Sequence, residues 1–315
     1  MGRYVIRRLI QTAILVFIVS TIVAVFIHLI PGDPASLIVG DNQNTPERIE
    51  AVRRNLGLDR PIYEQYFDWI TGIARGDFGK SLFTGREIRT DLVARIPRTL
   101  ELGGAALLVS IVVGIPLGVI AAHYRNRWPD VLVSSFAIAG LSIPVFVIGT
   151  LMVLVFSVRW QILPASGYVA FSDDPLEHIK RLALPAITLG ILSSATIMRM
   201  TRSSLLEVLG EDYVRTARAK GLNERVVIYG HALRNALIPV VTVVGLQMGT
   251  LLGGSVLVEY IFNWPGLSTY LITGINQRDY PVVQAVMLII AVVFVLINLA
   301  TDLLYAVIDP RIKYG

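Results

Sequence analysis

The 315 residues include no cysteine. Disulfides, thiolate metal sites and cysteine nucleophiles are therefore excluded. Histidine is scarce as well. His28, His123, His178 and His231 stand far apart, with no pair at ligand spacing, so no metal centre is expected. Charge is thin: 16% of residues are charged, against roughly a quarter in ordinary soluble domains. A phosphate-binding loop is also missing. Gly79-Lys80-Ser81 ends like one, but Ala74 stands where the leading glycine belongs. The chain is thus not expected to bind ATP by that mechanism. Nucleophile-elbow and His-Glu metalloprotease patterns are absent too. Asp173-Asp174 is a paired carboxylate in polar sequence, and it reads as solvated charge.

What the chain has is hydrophobic length. Hydrophobic residues make up 54% of it and fall in long blocks. Blocks of about 20 apolar residues match the hydrocarbon thickness of a bilayer. They are apolar all round, whereas a soluble core helix keeps one polar face. Six spans are read, at about 9–30, 100–122, 131–156, 183–198, 237–261 and 282–308. The fourth is short and carries Thr188, Ser193, Ser194 and Thr196.

Orientation follows from Lys and Arg beside the spans. Arg3, Arg7 and Arg8 place the N-terminus in the cytoplasm, and six spans return the C-terminus there. The inside segments then hold fourteen basic residues, Arg311 and Lys313 among them, and the two short outside loops hold four. The net charge of +5 is explained by these loops, and no nucleic-acid partner is expected. The first apolar stretch is too long for a cleavable signal, and Pro31-Gly32-Asp33-Pro34 is not a small-residue cleavage site. Arg7-Arg8 reads as a topology anchor.

Three regions result: residues 1–30 with the first span, an external insertion at 31–98, and a five-span core at 99–315. In the insertion, Thr45-Pro46-Glu47 reads as a helix start. Ile49, Val52 and Leu56 share a face, and Gly57 closes the helix. A second amphipathic stretch carries Ile62, Tyr66, Trp69 and Ile73 and stops at Gly76. A small external helical cap is expected.

Ionisable groups inside the spans are few. Glu259, Asp302 and His28 are read as lying near span ends, within reach of water or headgroups. A proton-driven carrier needs a deeper relay. Gly245, Gly249 and Gly253 recur at four-residue spacing, which suits close helix packing. Gln247 and Thr250 on the same helix, with Ser193, Ser194 and Thr196 in the fourth span, are costly to point at lipid. With Gly249 they are the candidate path residues. Gly114, Pro116 and Gly118 in the second span and Pro144 in the third are candidate kinks.

The most informative segment is the inside loop at 199–236, too polar to span. Glu211 to Lys220 has helix-forming composition, Gly221 follows the basic pair Arg218 and Lys220, and Asn223 caps a second helix through Ala236. A helix–turn–helix held between two spans suits force transmission to a cytoplasmic partner. It equally suits an amphipathic helix at the membrane interface. The pattern leaves both open.

The loop resembles the coupling loop of binding-protein-dependent ABC importer permeases. That family has Glu-Ala-Ala, three residues, then Gly. Here Arg215-Thr216-Ala217 and then Gly221 stand there, so the Ala and Gly match and the first two positions depart. The later Ile-x-Leu-Pro falls on His231-Ala232-Leu233-Arg234, another departure. Both are similar to the variant in peptide, glutathione and nickel permeases. Pro31-Gly32-Asp33-Pro34, Gly76-Asp77-Phe78-Gly79, Leu163-Pro164-Ala165, Asn263-Trp264-Pro265-Gly266, Arg278-Asp279-Tyr280-Pro281 and Asp309-Pro310-Arg311 resemble landmarks of that subgroup along nearly the whole chain.

The resemblance implies an all-α polytopic fold of the type I importer class, six spans with an external helical insertion, in a bacterial inner membrane. It implies a second homologous permease, two cytoplasmic ATPase subunits that carry ATP and Mg, and an extracytoplasmic solute-binding protein. This chain would hold no cofactor and perform no covalent chemistry. Tyr213, Arg215, Thr216, Ala217, Arg218, Ala219, Lys220 and Gly221 would form the ATPase-coupling element. The solute would be a dipeptide, an oligopeptide or a relative such as glutathione, with nickel or a metal chelate as the alternative. From a different class, an ion-coupled secondary transporter would show inverted repeats and charged midplane helices, which the sequence lacks. A membrane-embedded enzyme would need a catalytic constellation.

Overall fold

The computed structural model describes residues 2–29, 35, 45–55, 57 and 59–308. Pro31 to Pro34, Leu56, Asp309-Pro310-Arg311 and Lys313 lie outside the described residues, as do the side chains of Arg3, His28 and Val52. The described helices are α1 Gly2–Leu29, α2 Pro46–Asn55, α3 Ile62–Ala74, α4 Ile88–His123, α5 Trp128–Ser142, α6 Val145–Arg159, α7 Pro175–Val208, α8 Asp212–Ala219, α9 Glu224–Ile261, α10 Leu267–Asn276 and α11 Tyr280–Ile308. Five of them are long and apolar enough to cross a membrane, and α5 with α6 passes the same test together as a bent pair, six in all when that pair is counted as one span. The described residues form an all-α polytopic fold.

The third span is broken. Helices α5 and α6 meet at 105° across Ile143-Pro144. Proline disfavours helical backbone in the residue before it, and Ile143 is extended at φ −91° and ψ 127°. Helix α4 continues through Gly114, Pro116 and Gly118 as one helix. Its glycines serve contact: a Cβ on Gly118 would meet the Met198 carbonyl at 2.7 Å, and one on Gly114 the Ser194 carbonyl at 2.8 Å. Gly190 of α7 returns the contact, since a Cβ on it would meet the Ala106 carbonyl at 2.7 Å. The two helices touch backbone to backbone.

Two helices outlast the spans read from hydropathy. The short fourth span is the middle of α7, whose 34 residues rise about 51 Å against a hydrocarbon core of about 30 Å. Pro175 starts it at the first turn, and Asp174 caps it, accepting from the Leu176 and Glu177 amides at 3.0 Å each. Asp174 is therefore a cap, not merely solvated charge. The second helix of the inside loop does not stop at Ala236. It continues through a π-helical turn, Val227–Ala232, into the fifth span. Val227, Ile228, Ala232 and Ala236 are all buried, so the apolar face persists where hydropathy falls.

The chain forms two compact units. One runs from Thr99 to Trp264 and resumes at Ile297; the other comprises Gly2–Arg98 and Pro265–Leu296. In the first, one core gathers Leu102, Ala106, Leu184, Leu189, Val258, Phe262 and Trp264, and a second lies around α8. In the other, Ile88, Leu92, Leu267, Tyr270, Val282 and Val286 pack together. Helix α2 opens with the Ile49 amide on the Thr45 carbonyl, at 3.1 Å. Helix α3 closes at Gly76, φ +81°, with the Gly76 and Asp77 amides bonded to Ile73 and Gly72. Tyr66 of α3 puts its hydroxyl 3.3 Å from that of Ser20 on α1.

Candidate functional site

The candidate coupling segment is a short helix and a tight turn set between two long helices. Helix α8 follows α7 after Leu209-Gly210-Glu211. It ends at Ala219, and the chain then turns at Gly221, φ +80°, a conformation that L side chains rarely adopt. Asn223 then caps α9, accepting from the Arg225 amide at 3.1 Å. Val214 and Ala217 are the buried face of α8, packed with Val119, Ala122, Leu205, Val227, Ile228, Ala232 and Ala236.

Polar contacts tie the turn to its neighbours. Arg218 donates through Nη2 and Nε to the Glu224 carboxylate at 2.7 and 3.1 Å, and through Nη1 to the Leu209 carbonyl at 3.5 Å. Hydrogen bonding to the Glu224 carboxylate raises the Arg218 pKa above its ordinary value, so the guanidinium stays charged. Asn235 of α9 donates to the Tyr213 hydroxyl at 2.8 Å. The eight candidate coupling residues thus divide by role. Ala217 packs inside, and Tyr213 and Arg218 brace the turn. Arg215, Thr216, Ala219, Lys220 and Gly221 are exposed, although Thr216 also bonds the Asp212 carbonyl at 2.9 Å. Sequence reasoning missed Leu222, Val226 and Tyr229, exposed apolar side chains on the same turn and the first turns of α9. Their spacing of three to four residues is the signal that would have found them.

The candidate path residues lie on α7 and α9. Ser193 and Ser194 are buried on α7, and Ser194 bonds its own Ile191 carbonyl at 2.6 Å; Thr196 is half-buried. On α9, Gly249 is buried, Gln247 is half-buried and Thr250 is exposed. Thr250 donates to the Gln247 carbonyl at 2.9 Å. The glycine row is mixed. Gly245 meets the Thr301 side chain, whereas a Cβ on Gly253 would meet nothing within 4 Å.

Several pairings invisible to local pattern hold the chain together. Asp130 and Arg202, on α5 and α7, form a two-point ion pair with Nε–Oδ1 at 2.7 Å and Nη2–Oδ2 at 2.8 Å. Glu259 does not lie within reach of water as expected: it is fully buried and accepts from Thr99 at 2.8 Å. His178, ringed by Tyr168, Phe171 and Trp264, lies 2.7 Å from both the Val169 carbonyl and Glu101. Among the described residues, no group of three or more His, Asp or Glu is placed to hold a metal ion.

The fragment that mimics a phosphate loop does bind an anion, but the anion belongs to the chain. Ser81 donates its hydroxyl to Asp279 at 2.5 Å, and the Leu82 and Phe83 amides point to the same carboxylate at 3.2 and 3.4 Å. Nearby, Tyr270 donates to Asp91 at 3.3 Å beneath the Arg95 guanidinium. Burial, then the Asp91 charge, pushes the Tyr270 pKa up to about 12, so its hydroxyl stays a donor.

Comparison with known proteins covers the whole chain. The family described as "Binding-protein-dependent transport system inner membrane component" matches residues 114–314, and its N-terminal companion matches residues 1–103. The glutathione transport system permease protein GsiC of Escherichia coli strain K12 is 46% identical over 314 residues, covering 100% of both chains. The protein of the same name from Shigella flexneri serotype 5b matches to the same extent. Among solved structures, an inward-facing form of the MetNI methionine ABC transporter aligns with a TM-score of 0.58 at 22% identity, over 69% of this chain and 96% of that one. This last likeness is one of fold.

Proposed function

This chain belongs to the family of binding-protein-dependent transport system inner membrane components and is a multi-pass permease subunit of an ABC importer; from that premise we propose how it works and what it carries. It pairs with a second homologous permease, and together they enclose the path. Two cytoplasmic ATPase subunits supply ATP and Mg, this chain holding no cofactor. An extracytoplasmic solute-binding protein delivers the solute, and both termini of this chain lie in the cytoplasm. ATP binding closes the ATPase pair, presses on α8 and its turn, and moves α7 and α9 together.

The observation that supports this reading is the turn itself. A polar helix exposes Arg215, Thr216, Ala219 and Lys220, while Val214 and Ala217 bed it between two long helices. Such an element transmits displacement without binding nucleotide. The permeases that match over full length are named for glutathione transport, so a γ-glutamyl or ordinary short peptide is the solute class we assign.

The test is uptake into proteoliposomes holding the complete complex and its binding protein. Import of glutathione or a dipeptide that stops without ATP is the expected result. Solute accumulation driven by an ion gradient, with no ATPase subunit present, would overturn the reading. ATP-driven import of nickel chelates alone would replace the solute class and leave the importer standing.

A further inference from the structure

We propose that Asp130 and Arg202 form the strut that carries movement of the coupling turn to the broken third span. The inference rests on the importer reading above and adds a positioning pair to it.

Arg202 stands on α7, six residues before that helix ends at Val208 and hands over to α8. Leu205, one turn away, is buried with Val214 and Ala217 of α8. That end of α7 is therefore bedded on the coupling helix. On α5, Asp130 is only 4% exposed and occupies the helix's third position. The two parallel contacts to Arg202 fix the angle between guanidinium and carboxylate as well as their distance.

The carboxylate is itself held in place. The Asn126 amide reaches it at 2.9 Å from a left-handed residue, φ +61°, and the Ser134 hydroxyl at 3.3 Å. Asp130 therefore joins the turn after α4, the first turn of α5 and the cytoplasmic end of α7.

The apolar contact between α5 and α7 buries Ala137, Ala195 and Met198, with Leu117 and Val133 beside it. The forked ion pair adds to that packing a fixed angle at one end of α5. At its far end α5 stops at Ile143, where the chain turns through 105°. Helix α5 is thus a short lever, gripped at one end by Arg202 and jointed at the other by Pro144. A buried ion pair is weak evidence of stability, because two charges are desolvated to make it. Its strength here is geometric.

The test measures ATP hydrolysed per solute imported in the reconstituted complete complex. Asp130→Asn removes the charge, and Arg202→Lys keeps the charge but loses the fork. Each is expected to raise the ratio by about 2- to 30-fold, the range over which substitutions along a coupled route act. The swap D130R/R202D restores part of the loss. If either single variant fails to assemble, D130C/R202C answers the question, since this chain offers no other thiol. Joining the two cysteines with a short bifunctional reagent should return the ratio towards wild type relative to the unjoined form. An unchanged ratio in the single variants, parallel loss of uptake and hydrolysis, or no gain on joining would each overturn the strut. Absence of ATP-dependent import by the wild type would instead remove the importer reading.

Discussion

Two polar turns in this chain are held in opposite ways. One, around Gly79 to Ser81, is pinned by Asp279, a carboxylate only 1% exposed that takes a hydroxyl and two backbone amides. The other, around Gly221, carries the ion pair of Arg218 and Glu224, whose side chains are 40% and 42% exposed. Charge-assisted hydrogen bonds inside a protein contribute about 1.5–3 kcal/mol, whereas exposed ion pairs contribute about 0–1 kcal/mol. The turn at Gly79 to Ser81 is therefore locked by polar chemistry. The turn at Gly221 is held by Val214 and Ala217 packing, with its ion pair as a brace. A locked turn shapes a surface, and a bedded turn can be pushed.

The sharpest way to break this contrast is to remove Asp279. Asp279→Ala leaves three donors without their acceptor and should destabilise the complex by about 2–3 kcal/mol, read as a lower thermal midpoint. Uptake per ATP in the assembled fraction should not change. A variant that melted like wild type would show that the turn at Gly79 to Ser81 is not locked by this carboxylate.

Gly221→Leu comes next. Its Cβ would meet nothing within 4 Å, so the cost is backbone strain at φ +80°, about 1–2 kcal/mol. The expected result is hydrolysis without matching import. Gly221→Asn should recover part of the import, because asparagine tolerates left-handed backbone. Equal damage from both would place the defect in side-chain contact with a partner.

The smallest effect is expected at the brace. Glu224→Gln should cost about 0–1 kcal/mol, and the loss should shrink further in high salt. Uptake per ATP should stay near wild type. Strong uncoupling in this variant would merge the two turns into one class and undo the comparison.

How far the sequence led depends on the distance between the interacting residues. Local signals were sufficient for the Gly221 turn, the Asn223 cap and the break before Pro144, because each is decided within a few residues. Span ends were not legible, since hydropathy reports where the membrane stops and α7 and α9 continue beyond it. The ion pair of Asp130 with Arg202 joins positions 72 apart, and Ser81 meets Asp279 across 198. Nothing in a window of one or two turns marks such partners. Glu259 was misplaced for the same reason: its acceptance from Thr99 depends on a contact across 160 positions.

The glycine contacts of α4 and α7 have a consequence for genetics. At Gly118, Gly114 and Gly190, an added methyl would meet a backbone carbonyl of the other helix. No exchange of a neighbouring side chain removes a carbonyl, so alanine there should yield no nearby second-site revertant. Gly245 differs, because what it meets is the side chain of Thr301. Loss of uptake from Gly245→Ala should be suppressible by a smaller residue at 301. A revertant screen would thus separate the seam that fixes two backbones from the one that only fits a side chain.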